Sequence, residues 1–360
     1  MRRCFLHFGT PKTGSTSFQA FLERHGSALL PFGILVPTEG MGGGGNHHPV
    51  VKALAGETPG PRFRNAPVEL SRALDRHGDK DVLLSAEWMD GALRTEAGLG
   101  IVRFFADRGF AVVLLGYFRN QPQFLNSAYA QGVKRLVVRA SFDAYAEKFR
   151  RSGRHDHSFW LGLAERTGSR LLARPYNAAV RSGGVVRDLL RTLGIDPAAI
   201  DAGPDPRANP SPGPCAIAVA QEAMRRADAS GHRWTHRQNV ASWHLFSQLT
   251  AEPAFAEAPF SGLDTERARA LQAEFRPSND AFARAVWNMD WASAFAEDAE
   301  AAFTRNVYDP ASAAPEQKAL HDALLDRFWA GLSEIMKNPR LREDNPAPRR
   351  APPRTEHPSP

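Results

Sequence analysis

The stretch that most limits what this chain can fold into runs from Phe5 to Gln19, F-L-H-F-G-T-P-K-T-G-S-T-S-F-Q. Phe5, Leu6 and Phe8 read as a short buried strand. Gly9-Thr10-Pro11-Lys12-Thr13-Gly14-Ser15-Thr16 then turns directly into a helix with apolar positions at Phe18, Phe21 and Leu22. A strand, a glycine-bounded turn and a helix N-terminus together make an anion site, because backbone N–H groups converge there and the helix dipole adds partial positive charge. Gly9 and Gly14 permit close backbone approach, and Lys12 supplies a mobile cation. Such a loop suits a phosphate.

The spacing departs from the triphosphate loop G-x-x-x-x-G-K-[ST] at one position. Gly9 and Gly14 keep the gap, but Ser15 stands where the lysine belongs, and Lys12 occupies the apex instead. A lysine at the apex lies beside a shorter group, near the bond that follows the first phosphate. That weakens a kinase or NTPase reading. Such an enzyme also needs a strand-end aspartate for magnesium, whereas the chief strands here run out into Glu87 and Arg119.

The rest of the chain alternates strands and helices. Apolar runs at 33–37, 82–85, 111–117 and 170–174 read as strands, and helices are expected over about 16–30, 47–55, 67–78, 95–108, 121–136, 141–149, 156–167 and 185–193. The fold class that follows is α/β, a three-layer P-loop-like arrangement with a central parallel sheet flanked by helices. Residues 38–67, with Gly42–Gly45, read as a flexible loop near a ligand. A proline-rich linker at 203–214 divides a core over 1–202 from a mainly helical region over 203–338, expected to complete the acceptor and nucleotide cleft. Residues 339–360 hold seven prolines and many charges and read as a disordered tail.

A net charge of +6 favours an anionic partner, but no nucleic-acid-binding signature is present. No apolar run is long enough to span a membrane. The two cysteines, Cys4 and Cys215, give no disulfide framework and suit a cytoplasmic location as buried fillers.

The strand 111–117 delivers Arg119 to its C-terminal end, where open α/β sheets bind ligands, and Ser127 follows inside the next helix. A forked guanidinium and a hydroxyl so placed can grip one phosphate together. At this point the two motifs, P-K-T-G-S-T and R-x-x-x-x-x-x-x-S, together resemble the sulfotransferases that use 3′-phosphoadenylyl sulfate (PAPS) and release 3′-phosphoadenosine 5′-phosphate (PAP). The continuation Tyr129-Ala130-Gln131-Gly132-Val133-Lys134 looks like bacterial members that modify carbohydrates or other small hydroxylated acceptors. The resemblance spans roughly residues 1–290. It implies that Pro11, Lys12, Thr13, Gly14, Ser15 and Thr16 hold the 5′-phosphosulfate, and Arg119 and Ser127 the 3′-phosphate. It also implies that Tyr176 faces the adenine and that Phe275-Arg276-Pro277-Ser278-Asn279 forms a late loop bringing Arg276 and Ser278 to the nucleotide. No metal is implied.

Sulfuryl transfer needs a base for the acceptor hydroxyl and a cation for the leaving oxygen. Lys12 suits the second task. For the first, Glu87 follows the strand 82–85, while His48 and His47 sit in a polar, glycine-flanked loop. The preferred order is Glu87, His48, His47. The cluster His232, Arg233, Trp234, His236 and Arg237 suits a sugar or anionic acceptor, or else an irregular surface around a buried tryptophan. Two other functions remain open: a P-loop kinase or NTPase, and a non-catalytic nucleotide or anionic-glycan binder.

Overall fold

The computed structural model describes residues 1–200, 211–299 and 303–342. Five strands form one parallel sheet: β1 (Arg3–Gly9), β2 (Ile34–Leu35), β3 (Asp81–Ser85), β4 (Ala111–Phe118) and β5 (Arg170–Pro175), in the order β2-β3-β1-β4-β5. The helices are α1 (Ser15–His25), α2 (His48–Leu54), α3 (Ala66–Arg76), α4 (Met89–Ala92), α5 (Leu99–Ala106), α6 (Gln121–Lys134), α7 (Phe142–Arg151) and α8 (Ser158–Thr167). They continue as α9 (Ala178–Gly183), α10 (Val185–Thr192), α11 (Pro214–Ala229), α12 (His236–Leu249), α13 (Thr265–Trp287), α14 (Trp291–Ala294), α15 (Ala296–Ala299) and α16 (Pro315–Lys337). The α/β class with a parallel sheet between helical layers is therefore present, and further helices follow in the C-terminal region.

Both faces of the sheet are buried, which is why its strands read as continuous apolar runs. Cys4, Leu6 and Phe8 of β1, Val82 and Leu84 of β3, and Leu114 and Phe118 of β4 point to one side. There they meet Val50, Leu70, Phe105, Trp160, Phe282 and Trp291. Phe5, Leu83, Val113, Leu115 and Tyr117 point to the other side, against Phe18, Phe21 and Leu22 of α1 and Val185, Val186 and Leu189 of α10. Phe8 stacks on Trp160 with ring centroids 3.8 Å apart. The same ring lies over Gly116, where an added Cβ would stand 2.1 Å from it. Neighbouring strands fit only because one carries a large ring and the other carries none. Two tryptophans close this face: Trp287, partly buried, donates through Nε1 to the Ala173 carbonyl at 3.0 Å, and Trp291 is buried.

By internal contacts the chain clusters into two compact units, each discontinuous in sequence. The first comprises Met1–Ala128, Ala146–Asn209 and Leu263–Thr304 and contains the whole sheet. The second comprises Tyr129–Tyr145, Pro210–Gly262 and Arg305–Pro360. The sequence divides the chain consecutively near residue 202, whereas 263–304 belong with the sheet. Within the second unit, α11 and α12 pack on α16 around Met224, Phe246 and Phe328. Glu257 caps α11 by accepting from the backbone N–H groups of Cys215 and Ala216, each at 3.1 Å.

Three sequence expectations change. The expected late loop at Phe275–Asn279 lies inside one continuous helix, α13; Asp264 caps its start and Asn288 ends it with φ 56°. Pro277 removes one helical donor, which a helix packed along much of its length tolerates. The glycine run at 42–45 is docked rather than loose: Gly44 N donates to Glu23 Oε1 at 3.0 Å, and Gly45 has no room for a Cβ above the Gln19 carbonyl. The helix expected to about residue 30 stops at His25, and Gly26–Phe32 continues as a 3-10 turn containing Pro31. The first eight positions of the linker, 203–210, and residues 343–360 of the tail lie outside the described residues. Both cysteines are free and buried, and no helix among the described residues is long and apolar enough to cross a membrane.

Burial holds several histidines neutral. Desolvation pushes His7 and His157 down to about 3 and His47 to about 4. Because each native value lies below the unfolded value near 6.5, the stability they contribute is complete above pH 6.5 and is lost as pH falls toward the native values. Unfolding free energy measured in urea is expected to drop by about 1.4 kcal/mol per pH unit for each such histidine between about pH 6 and 5. His7→Phe, which keeps the edge-on packing against Phe18, should lower that slope by about one proton.

Candidate functional site

The site lies at the carboxyl ends of β1, β3 and β4. The turn after β1 is tied down at its base: Thr10 donates to the Tyr117 carbonyl through both its N–H, at 3.0 Å, and its hydroxyl, at 2.9 Å. Thr13 Oγ1 closes back on the Thr10 carbonyl at 2.5 Å. Gly9, Lys12 and Gly14 all have positive φ, at 108°, 66° and 82°. Lys12 pays the steric cost that glycine avoids, and in return its apex turns the chain within three residues. Gly14 then opens α1, and an added Cβ there would stand 2.9 Å from Cγ1 of Val185, the first residue of α10. Thr13 and Ser15 are buried, Pro11 and Lys12 are half-buried, and Thr16 is exposed on the first turn of α1.

Glu87 joins this loop. Beyond Ser85 the chain keeps pairing with β1, since Ala86 N donates to the His7 carbonyl at 2.9 Å. Glu87 therefore leaves the sheet beside the turn, and Ser15 Oγ donates to its Oε1 in a short hydrogen bond. Glu87 also lines a cavity of about 410 Å³ whose wall holds Trp88, Thr95, Glu57 and Arg154. Glu87 thus stands between the anion loop and a ligand-sized space. Sequence reasoning placed Glu87 correctly at the strand end but did not find Trp88 or Arg154. Arg154 is far from Glu87 along the chain and follows α7 in a turn with no pattern of its own.

The histidines fare differently. β2 ends at Leu35, so beyond Val82 the outer edge of β3 lacks a strand partner. His47 fills that place: its N–H donates to the Ser85 carbonyl at 2.8 Å, and its Nδ1 accepts from Ser85 N at 3.1 Å. Nε2 donates to the Pro37 carbonyl at 2.9 Å, and the residue is wholly buried. Both ring nitrogens are engaged by backbone, so the expectation of His47 as a base is corrected to a structural role. His48 is half-buried, and its Nε2 accepts from Trp88 N at 3.4 Å. Burial, then Lys52, lowers its pKa. In the neutral ring the other nitrogen carries the proton and is a donor. Beneath the loop, Ser85 Oγ joins His7 Nδ1 at 2.8 Å and Gln19 Nε2 at 3.2 Å, a buried polar group that the strand pattern did not reveal.

Arg119 reaches the apex of the turn: its Nη1 donates to the Lys12 carbonyl at 3.1 Å. Its Nε is buried and has no hydrogen-bond partner among the described residues. Burial pushes its pKa down to about 10, leaving it charged at neutral pH. An orphaned charged donor beside a turn rich in backbone N–H groups is a mark of an anion site. Tyr176 belongs to the same corner; its N–H donates to the Phe118 carbonyl at 2.7 Å, and its ring centroid is 5.7 Å from the guanidinium carbon of Arg119. Ser127 is half-buried in the second turn of α6, and no described hydrogen bond links it to Arg119. Arg276 lines a different cavity of about 390 Å³ with Asn120, Asn279 and Trp291, and Ser278 Oγ is bonded to the Phe275 carbonyl at 3.2 Å within α13. The loop, Glu87, Arg119 and Tyr176 are thus tied together by described contacts, and Ser127, Arg276 and Ser278 are not. In the cluster after α11, the rings of His232 and Trp234 meet edge-on at 4.8 Å.

Gly14→Ala is expected to lower the unfolding free energy by about 1–3 kcal/mol, through the left-handed backbone and the overlap with Val185. Pairing it with Val185→Ala should recover the overlap part alone, as a double-mutant cycle in urea would report. No family model, no curated protein and no solved structure matches this chain.

Proposed function

We propose that the protein transfers a sulfuryl group from PAPS to a hydroxyl of a carbohydrate or another small acceptor. The observation that carries the reading is Glu87, whose carboxylate is hydrogen-bonded to Ser15 of the anion loop and which is at the same time a wall residue of a cavity. On this reading the turn Pro11–Thr16 holds the 5′-phosphosulfate, with Lys12 at its apex, and Arg119 takes the 3′-phosphate with help from Ser127. The buried, unpaired Nε of Arg119 supports the fit, because a phosphate oxygen would satisfy it. Tyr176, in contact range of Arg119, suits the adenine side.

The acceptor oxygen attacks sulfur from the cavity side and gives its proton to Glu87. The bond from sulfur to the bridging oxygen breaks, and Lys12 offsets the charge that collects on that oxygen as PAP leaves. With both rings of the histidine pair committed to backbone groups, Glu87 is the base this reading favours.

A kinase or NTPase reading draws on the same contact, since a carboxylate beside the first hydroxyl of α1 can also hold a magnesium ion through nucleoside phosphates. The two readings part on ligand preference. PAP at a hundredfold excess over its Kd should raise stability by about 2.7 kcal/mol, while ATP with magnesium should raise it far less. Lys12→Ala and Arg119→Ala should abolish transfer of labelled sulfate from PAPS while the fold is retained. Glu87→Gln should lower kcat by about 10²–10⁴ with little change in PAP affinity. Transfer unchanged in both cation variants would sink the proposal, and stabilisation by ATP with magnesium but not by PAP would favour the kinase reading. PAP binding without turnover of any acceptor would leave the chain a nucleotide-binding protein.

A further inference from the structure

The cavity of about 390 Å³ that Arg276 lines has no part in the transfer chemistry, yet it is built with care around two buried amides, Asn120 and Asn279, which are 4% and 2% exposed. Both are held in one orientation by groups that can bond in only one way. The indole N–H of Trp291 can only donate, and it meets Asn120 Oδ1 at 3.0 Å. The NH2 group of Asn120 therefore takes the other direction, and it has no hydrogen-bond partner among the described residues. His157, kept neutral by burial, has its Nε2 3.3 Å from Gln121 Nε2, which sets the Gln121 amide. That amide donates to Asn279 Oδ1 at 2.8 Å and accepts from Asn279 Nδ2 at 2.9 Å, so Asn279 keeps one N–H beyond the pairing.

The rest of the wall adds acceptors and no net charge. Gln272, Arg276, Asn279 and Asp280 fall at i, i+4, i+7 and i+8 of α13 and form one stripe along the cavity. Gln272 is half-buried, and no described hydrogen bond uses its amide. Asp280 accepts from Trp291 N through Oδ1 at 3.0 Å, which leaves Oδ2 open. Asp290 is held low by its bonds from Ser293, and then by Arg284 and Arg276. The two guanidiniums thus offset the carboxylates of Asp280 and Asp290. The aromatic side offers edges only: Trp291 already meets Phe295, His157 and Trp287 at 4.6, 5.2 and 5.5 Å, and Trp291 and Phe295 are 6% and 2% exposed. A nucleobase would find no ring face to stack on.

We infer that this cavity binds a neutral sugar ring by its hydroxyls. Each hydroxyl both donates and accepts, which matches a wall where the N–H groups of Asn120 and Asn279 face the oxygens of Gln272 and Asp280. The unpartnered NH2 of Asn120 is the decisive group, because a buried donor is satisfied only by what enters the cavity. A charged ligand would gain nothing from a wall without net charge. The inference goes beyond the transfer reading, since it uses neither Glu87 nor PAPS.

The test uses the full chain and the methyl glycosides of glucose, galactose and mannose, with binding followed by ligand-observed NMR. At least one of the three is expected to bind. Gln272→Leu, which breaks no described hydrogen bond, should weaken that binding about three- to tenfold. Ala292→Trp, at an exposed position of α14 on the cavity wall, should abolish it by filling the space. Urea midpoints near that of the unaltered chain report that both variants fold, and PAP affinity should be the same in all three proteins. Binding of none of the glycosides, or binding that survives both variants unchanged, overturns the inference. Displacement of the glycoside by adenosine or PAP also overturns it and gives the cavity to the nucleotide. Glycoside binding that Ala292→Trp removes, in a chain that does not bind PAP, keeps the sugar site and removes the donor reading.

Discussion

The carbonyl oxygen of Tyr117 anchors the whole corner at the strand ends. By accepting twice from Thr10, it holds the turn after β1 against the end of β4. Everything downstream inherits that position. The apex at Lys12 comes within reach of Arg119, which leaves β4 two residues later, and Gly14 opens α1 against the start of α10. A parallel sheet makes this possible because the carboxyl ends of neighbouring strands emerge together. Three strand ends thereby supply a loop, a carboxylate and a guanidinium without any of them being close in sequence.

The sheet that carries these ends is itself a matter of complementary volumes. Phe8 needs Gly116 beside it and Trp160 above it, and the alternation of large residues to each face leaves no strand free to shift by one position. On the α1 side, the packing is interrupted by polar groups, His7, Ser85 and Gln19, which satisfy one another beneath the loop. Their bonds hold the histidine in place and burial keeps it neutral, at the expense of stability in mild acid.

Much of the fold was legible because the signals are local. The runs 82–85 and 111–117 have the apolar density of buried parallel strands, and the glycine spacing at Gly9 and Gly14 marks the turn without reference to anything distant. The parts that misled depend on partners far away in sequence. Pro277 reads as a break, yet α13 continues through it because its apolar face is packed on the sheet unit. Gly42–Gly45 read as loose, yet Gly45 lets backbone lie against the backbone of α1 at Gln19. His47 and His48 read as reactive because they are polar and adjacent, whereas their roles are set by a strand that stops early and by a tryptophan N–H. Arg154 shows no signal, since its meaning comes only from sharing Asp90 with Arg94.

The early end of β2 has a consequence for access. A full-length neighbour would run along β3 as far as Glu87 and cover its outer side with main chain. One histidine does the pairing instead, through its own N–H and one ring nitrogen, and it stops at Ser85. The sheet is sealed through Ala86, and Glu87 beyond it is left half-buried. The approach to the carboxylate is thus framed by a single residue that replaces a strand.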